Sequence, residues 1–198
     1  MRKYELSISA DYLPSWGIVE GVREFFQNAI DEETRDSSNK MMLSYDAARE
    51  VLQIGNKHSE LDIKSLLFGN TTKDKDEKMI GNHGEGYKIA TVVLLRNNKQ
   101  VTFYNYCRRE IWRPKLVKSR KYDGMMVPTF FVETSAVWEK IPEHSLIIEI
   151  EGITPEEYEF IKSANLHLQD GYEKEHTMYG DILKEKRFAG KVFVGGLY

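Results

Sequence analysis

The amino-acid sequence predicts an α+β fold, and three observations lead to that prediction. Apolar residues alternate with polar ones near the N-terminus, which is typical of a half-buried strand. Apolar residues then recur at three- and four-residue spacing between Ile18 and Ala29, which indicates an amphipathic helix. Four segments between residues 100 and 151 are rich in β-branched and aromatic residues, which indicates consecutive strands, mostly antiparallel.

The elements follow one another without a clear linker or an internal repeat. The first helix takes Ser15 as its expected N-cap, and the last takes Thr154 with Pro155 behind it. A polar stretch without periodicity, Gly69 to His83, is predicted to be a long surface loop. The remaining predicted strands are Lys3–Ser9, Met41–Tyr45, Val51–Ile54, Gln100–Cys107, Glu110–Val117, Val127–Glu133, Leu146–Glu151 and Lys191–Tyr198, and the remaining helices are Leu61–Phe68 and Gly84–Leu95.

Composition limits the class of protein. A chain of 198 residues, 41% hydrophobic and 30% charged, is predicted to form one globular domain spanning residues 1–198. Its formal charge of -3 is too near balance to drive non-specific nucleic-acid binding. The single Cys107 excludes an internal disulfide, and no secretory signal or apolar stretch of about 18 residues is visible. We therefore expect a soluble, cytoplasmic protein with no membrane segment.

A polar stripe on the first helix carries the first candidate site. Glu24, Asn28 and Asp31 stand at i, i+4 and i+7, so the two carboxylates and the carboxamide share one helical face and can converge on a ligand. Dense apolar residues around them mean that the stripe is buried or forms the floor of a cleft. Taken alone, the pattern is more often that of an ordinary polar face on an amphipathic helix.

Glycines at residues 81, 84 and 86 form the second candidate site. Gly81, Gly84 and Gly86 come directly before a predicted helix, where main-chain amides and the helix N-terminus can hold phosphate oxygens. A dinucleotide-binding fingerprint requires a strand just before the glycines, and here a polar loop precedes them. The Gly-Lys-Ser/Thr ending of a P-loop is also missing.

The order of these segments resembles the GHKL ATPases, the group that contains gyrase B subunits, heat-shock chaperones, MutL-type repair proteins and histidine kinases. Glu24 to Glu32 resembles the first motif of the family. Gly69 to Lys73 resembles the entry to the nucleotide lid, and Ile80 to Lys88 resembles the glycine motif that closes it. The resemblance covers roughly residues 20 to 90, and three motifs in the right order are more specific than any one alone.

The resemblance implies a Bergerat-type fold, an α/β two-layer sandwich in which helices cover one face of a mixed, largely antiparallel sheet. It implies ATP and Mg²⁺ as cofactors. Glu24 would be the general base that acts on the attacking water, and the side-chain oxygen of Asn28 would bind the metal. Asp31 would support the adenine pocket through polar or water-mediated contacts.

The resemblance also assigns the phosphate contacts. Main-chain amides of Gly81, Gly84 and Gly86 would contact the phosphates, and Lys73 or Lys88 would add positive charge.

The chain departs from the family at the end of the third predicted strand. Asn56 stands where the family has an adenine-binding Asp, and both following glycines are replaced. An Asn can still accept a hydrogen bond from an adenine amino group, but its bond is neutral and the orientation of its amide is ambiguous. The alternative is that Asn56 makes a turn. The family's late hydroxyl residue corresponds best to Ser145, for which ordinary turn chemistry is the alternative.

A basic stretch from Arg108 to Lys121 contains seven basic residues and one acid, interleaved with Trp112. Such a stretch can bind nucleic acid locally. We favour a solvated hairpin face instead, because the whole chain is acidic and no nucleic-acid-binding module is visible. The five histidines lack metal-ligand spacing, so we expect no zinc site.

Taken together, the sequence predicts magnesium-dependent ATP binding with slow hydrolysis, coupled to closure of the lid and to a change seen by a protein partner or a further domain. The alternatives are a degenerate nucleotide-binding module that does not hydrolyse and a protein-interaction module on the same scaffold. A histidine kinase fits less well, because no helical dimerisation segment with a phosphoacceptor His is visible. The chain ends within an apparent strand, so we expect the N-terminal part of a longer protein.

Overall fold

A seven-stranded sheet and three α-helices form the body of the fold. The structure is a computed structural model and describes residues 1–66, 85–134 and 145–198. The strand order is β1-β6-β5-β4-β7-β3-β2, and each pair of neighbouring strands is antiparallel. The bounds are β1 Arg2–Glu5, α1 Ile18–Arg35, β2 Met41–Asp46, β3 Val51–Asn56, α2 Gly86–Arg96, β4 Gln100–Asn105, β5 Glu110–Lys118, β6 Met126–Thr134, β7 Leu146–Glu151 and α3 Pro155–Ser163.

The two layers follow from the alternation of side chains along the strands. Phe103, Ile148 and Ile54 lie opposite one another on β4, β7 and β3 and are buried in the same apolar cluster as the helices. The next residues along β3 and β7, Gln53 and Glu149, hydrogen-bond to each other on the outer face. The predicted α+β class, with a largely antiparallel sheet and helices, is confirmed.

Helix α1 forms because its apolar residues recur on one side. Val22, Phe25, Phe26 and Ala29 are buried there, and the Phe25 ring meets Phe103 of β4 edge to face at 5.8 Å. The prediction of Ser15 as N-cap is wrong. The helix begins two residues later than predicted, after Gly17, whose N–H donates to the carboxylate of Glu20.

The ends of three adjacent strands meet below α1. Asn56, the last residue of β3, lies opposite Leu146, the first residue of β7, and Leu146 also lies opposite Asn105 at the end of β4. Because successive side chains of a strand alternate, these three residues form one row across the sheet. The row places two polar side chains, Asn56 and Asn105, beneath the helix layer.

Two strand predictions differ from the structure at the chain's ends. Regular pairing of β1 stops at Glu5 rather than Ser9, because the next partner, Pro128, accepts a hydrogen bond from Leu6 but has no N–H to return. The predicted strand from Lys191 to Tyr198 is instead a tight turn. Gly195 and Gly196 both have positive φ angles, which an extended strand does not use.

The other segments match more closely. The predicted helix at Leu61–Phe68 is a short 3₁₀ helix over Ile63–Leu66, and its last two predicted residues lie outside the described part of the chain. Helix α3 begins as predicted, with Thr154 and Glu157 forming a reciprocal capping box. A two-stranded hairpin, β8 (Lys174–Thr177) and β9 (Gly180–Leu183), was not predicted, because each strand has only four residues and β8 contains no apolar residue.

Candidate functional site

The polar stripe of α1 meets the first residue of α2. A Cβ atom built on Gly86 would lie 3.0 Å from Asn28 Nδ2 and 3.1 Å from Glu24 Oε2. The predicted stripe and the last of the predicted glycines are therefore in direct contact, although about 60 residues of sequence separate them. Because Gly86 has no side chain, the N-terminus of α2 can come close to the carboxylate of Glu24 and the carboxamide of Asn28. We call this arrangement the Gly86 cradle.

The carboxylate of Glu24 is held within this cradle by its own helix. Its side chain is only 15% exposed, and Arg23 Nη2 donates to Oε1 at 3.4 Å. Burial raises the pKa of Glu24 above its usual value, while the charge and the hydrogen bond of Arg23 act in the opposite direction. Asn28, one turn further on, donates from Nδ2 to the main-chain oxygen of Glu24 at 2.8 Å.

The stripe continues along the interface between α1 and α2. Asp31 is 1% exposed. Burial raises the pKa of Tyr87 on α2, and the negative charges of Glu32 and Asp31 raise it further. Lys88, in the first turn of α2, is fully buried. Burial lowers the pKa of Lys88, and Glu85 acts to raise it.

Asn56 lies next to this stripe, and its amide has one orientation. Nδ2 donates to the main-chain oxygen of Ala29 at 2.9 Å and to that of Asn39 at 3.1 Å. Since both acceptors are carbonyl groups, the nitrogen must face them and Oδ1 must face away. No described residue donates to Oδ1. The orientation that was ambiguous in the sequence therefore leaves an acceptor beside α1.

Ser145 directly precedes β7 and is fully buried. Its main-chain oxygen accepts a hydrogen bond from Tyr106, whereas its hydroxyl group has no partner in the described part of the chain. Asn105, on the neighbouring strand, donates from Nδ2 to the main-chain oxygen of Leu61 at 2.6 Å, and its Oδ1 is likewise buried without a partner. Buried polar atoms are normally paired, so both atoms can take a ligand group or a bound water.

Sequence reasoning missed the residues that hold the segment after β3. Asn39 accepts from the main-chain N–H of His58 at 2.8 Å and donates to Ser59 Oγ at 2.9 Å. From the other side, Asn105 holds Leu61. These side-chain hydrogen bonds fix the position of residues 57–61, at the place where the GHKL ATPases have glycines. The only signal in the sequence is an Asn at the end of an apolar strand, where Asn is uncommon.

Three predicted phosphate-contact residues lie outside the described residues. Lys73, Gly81 and Gly84 belong to the range 67–84, as does the whole predicted lid, residues 69–83. The described part of the site is therefore made by α1, the first turn of α2, and the ends of β3, β4 and β7.

The basic stretch after β4 carries paired charges. Arg108 lies 2.6 Å from Asp62 and 3.5 Å from Glu60, and Arg113 forms an ion pair with Glu133 on the neighbouring strand. These acids offset the charge of two of the arginines that could otherwise contact a phosphate backbone. The pairing agrees with the preference for a solvated hairpin face.

Two features of residues 1–66, 85–134 and 145–198 bear on cofactors and membranes. No group of three or more His, Cys, Asp or Glu side chains in these ranges is placed to hold a metal ion. The same ranges contain no helix with the length and apolar character needed to cross a bilayer.

Comparisons with known proteins find a similar curated protein and similar solved structures. No family model matches the chain. An uncharacterized protein of Mycoplasma pneumoniae (strain ATCC 29342 / M129 / Subtype 1) is 28% identical over 208 residues, covering 100% of this chain and 78% of that protein. Among solved structures, the ATPase region of Saccharomyces cerevisiae topoisomerase II bound to ICRF-187 (dexrazoxane) is similar, with a TM-score of 0.39 and 15% identity.

That match covers 69% of this chain, which spans only 38% of the solved chain. Neither similarity gives an activity for this chain. The function is therefore inferred from the chain's own residues.

Proposed function

We propose that this chain binds ATP with Mg²⁺ and hydrolyses it slowly, as a single GHKL-type domain. The observation that carries the proposal is the contact of Glu24 and Asn28 with the side-chain-free position of Gly86 at the start of α2. A helix N-terminus beside a carboxylate and a carboxamide can hold phosphate oxygens, a metal and a water molecule together.

The donor set suits Mg²⁺ bound through a nucleotide. Mg²⁺ usually takes one or two protein oxygens and fills its other positions with phosphate and water. Asn28 would supply the protein oxygen. The ion would neutralise negative charge on the phosphates.

Glu24 would accept the proton of the attacking water. A buried carboxylate whose pKa is raised is a stronger base than an exposed one, and Arg23 keeps it oriented from its own helix. The Gly86 cradle brings this carboxylate close to the place where a phosphate would lie.

The adenine base of the nucleotide would bind where β3 ends and β7 begins. Asn56 Oδ1 presents an acceptor that suits the exocyclic amine of adenine and not the carbonyl oxygen that guanine has at the same ring position. Ser145 and Asp31 would complete the pocket through their own polar atoms or bound water. This arrangement favours ATP over GTP.

The remaining parts of the proposal come from the resemblance of the motifs. Lys73, Lys88, Gly81 and Gly84 would contact the phosphates, and the lid of residues 69–83 would close over them. Closure would report the nucleotide state to a protein partner or a further domain in the cytoplasm.

Calorimetric titration with ATP, ADP and GTP, with and without Mg²⁺, tests the proposal. We expect magnesium-dependent binding that prefers ATP. Binding without turnover would support the alternative of a non-hydrolysing module, and no binding to any nucleotide would refute the proposal and leave a protein-interaction scaffold.

A further inference from the structure

The C-terminal turn, residues 193–198, docks beside the candidate site. The main-chain oxygen of Gly196 accepts from Leu166 at 2.8 Å, and the N–H of Tyr198 donates to Ala164 at 2.9 Å. The ring of His167 lies 2.8 Å from the main-chain oxygen of Gly195 through Nε2. The turn is therefore anchored to the segment that follows α3, by main-chain groups as well as by one side chain.

Arg23 joins this turn to Glu24. Nη1 donates to the main-chain oxygen of Tyr198 at 3.3 Å, and Nη2 donates to Glu24 Oε1 at 3.4 Å. The guanidinium carbon lies 5.2 Å from the ring centroid of Trp16, while Nε is buried without a hydrogen-bond partner in the described residues. The orientation of the guanidinium group is thus set by one aromatic ring and two oxygens, one of which is the candidate base.

A planar guanidinium group transmits displacement between its two acceptors. Its donors are held in one rigid fork, so a shift of the oxygen at Nη1 rotates the group and moves Nη2 as well. A Lys ammonium, which is a point charge on a flexible stem, does not couple two acceptors in this way. Movement of the main-chain oxygen of Tyr198 therefore changes the hydrogen bond between Arg23 and the carboxylate of Glu24.

We propose that Arg23 is a positioning residue for Glu24 and that the C-terminal turn sets its position, so that displacement of the turn lowers turnover without weakening nucleotide binding. This inference rests on the proposed function. Within the described part of the chain, the hydrogen bonds of the turn to other segments go to Arg23, Ala164, Leu166 and His167, none of which is assigned to the nucleotide.

Gly196 offers a way to displace the turn without touching the site. Its φ angle is +84°, and an added Cβ would lie 2.5 Å from His167 Nε2, which is closer than nonbonded atoms can approach. Gly190 is a matched control, because its φ angle is +74° and an added Cβ would meet nothing within 4 Å. Both substitutions therefore place a side chain at a positive φ angle, but only Gly196→Ala creates a clash with His167.

The test compares steady-state hydrolysis and calorimetric ATP binding in Gly196→Ala, Gly190→Ala, Arg23→Gln and the double variant Arg23→Gln/Gly196→Ala. We expect Gly196→Ala and Arg23→Gln each to lower kcat roughly 10-fold while KM and Kd change less than about twofold, because misplacing a catalytic group affects the chemical step. Gly190→Ala should retain the native kcat. In the double variant, Gly196→Ala should add little, because the connecting group is already gone.

Equal kcat values for Gly196→Ala and Gly190→Ala would overturn the inference, as would losses that multiply in the double variant. Thermal unfolding of each variant checks the fold. If Gly196→Ala unfolds, Arg23→Lys takes its place, and native kcat in Arg23→Lys would overturn the coupling role. A native protein that binds no nucleotide would overturn the proposed function itself, whereas native turnover with unaffected variants would overturn this inference alone.

Discussion

The side-chain nitrogen of Asn56 donates a 2.9 Å hydrogen bond to the main-chain oxygen of Ala29, tying the end of β3 to the middle of α1. The same nitrogen also reaches the main-chain oxygen of Asn39. One amide thus does two things in this fold. Its nitrogen holds the helix, the strand and the following turn together, and its oxygen is left for a ligand. An Asp could present the oxygen but could not donate either bond.

We therefore predict that Asn56→Asp is destabilising, although Asp is the residue that the GHKL ATPases, which the motifs resemble, have at this position. The change places a carboxylate against two carbonyl oxygens that lose their donor, which should lower the free energy of unfolding by roughly 2 kcal/mol or more. Urea denaturation at neutral pH measures it. Asn98→Asp, at an exposed position, makes the same charge change as a control. Equal stability of the two variants would contradict the structural role of Asn56.

Gly86→Ala should separate ligand binding from folding. The new methyl group would lie 3.0 Å from Asn28 and 3.1 Å from Glu24, so it fills the cradle and crowds both side chains. At the start of a helix Ala is at least as favourable as Gly, so stability should stay within about 1 kcal/mol of the native value. We expect the Kd for ATP to rise about 10-fold, which calorimetry measures. Unchanged affinity would show that the cradle is not the phosphate site.

Glu24→Gln should preserve ATP binding and abolish turnover, because a neutral amide cannot take the proton of the attacking water. Asn28→Ala should weaken the magnesium-dependent part of binding instead. Phosphate release and calorimetry with and without Mg²⁺ distinguish the two effects. Glu159→Gln, at an exposed position on α3, is the control. Turnover by Glu24→Gln at the native rate would rule out Glu24 as the base.

Glu157 gives a stability that depends on pH. Burial acts to raise its pKa, but hydrogen bonds from Lys99 and from the N–H of Thr154 outweigh burial, and the pKa is lowered. A depressed pKa means that the stabilisation is present above the usual value of 4.5 and is lost as pH falls through the folded-state pKa. Glu157→Gln should lower the free energy of unfolding by about 1–2 kcal/mol at pH 7.

That difference should start to shrink in urea titrations taken below pH 4.5, and it should approach zero once the pH has fallen through the lower folded-state pKa, where the carboxylate of the native protein becomes protonated. Glu156→Gln, an exposed residue in the same helical turn, should show a much smaller effect at either pH. A loss in Glu157→Gln that does not change with pH would mean that the charge of Glu157 contributes nothing.

Much of the secondary structure could be predicted because it depends on neighbours in sequence. The limits of β7, Leu146–Glu151, agree with the prediction, and the capping box of Thr154 follows from residues three positions apart. The errors arose where a distant residue decides the outcome. Pro128, on another strand, ends the regular pairing of β1. At the other end of the chain, Gly196 packs so closely against His167 that a side chain would clash there, and the segment forms a turn and not a strand.

The sequence by itself determined that Glu24, Asn28 and Asp31 share one face of a helix, because helical periodicity is a local property. Only the tertiary structure decided what that face meets. It brought Gly86 to the stripe, turned the Asn56 amide so that its oxygen is presented, and placed Tyr198 against Arg23, 175 positions away along the chain. Such contacts depend on how helices and strands pack, and no spacing of neighbouring residues encodes them.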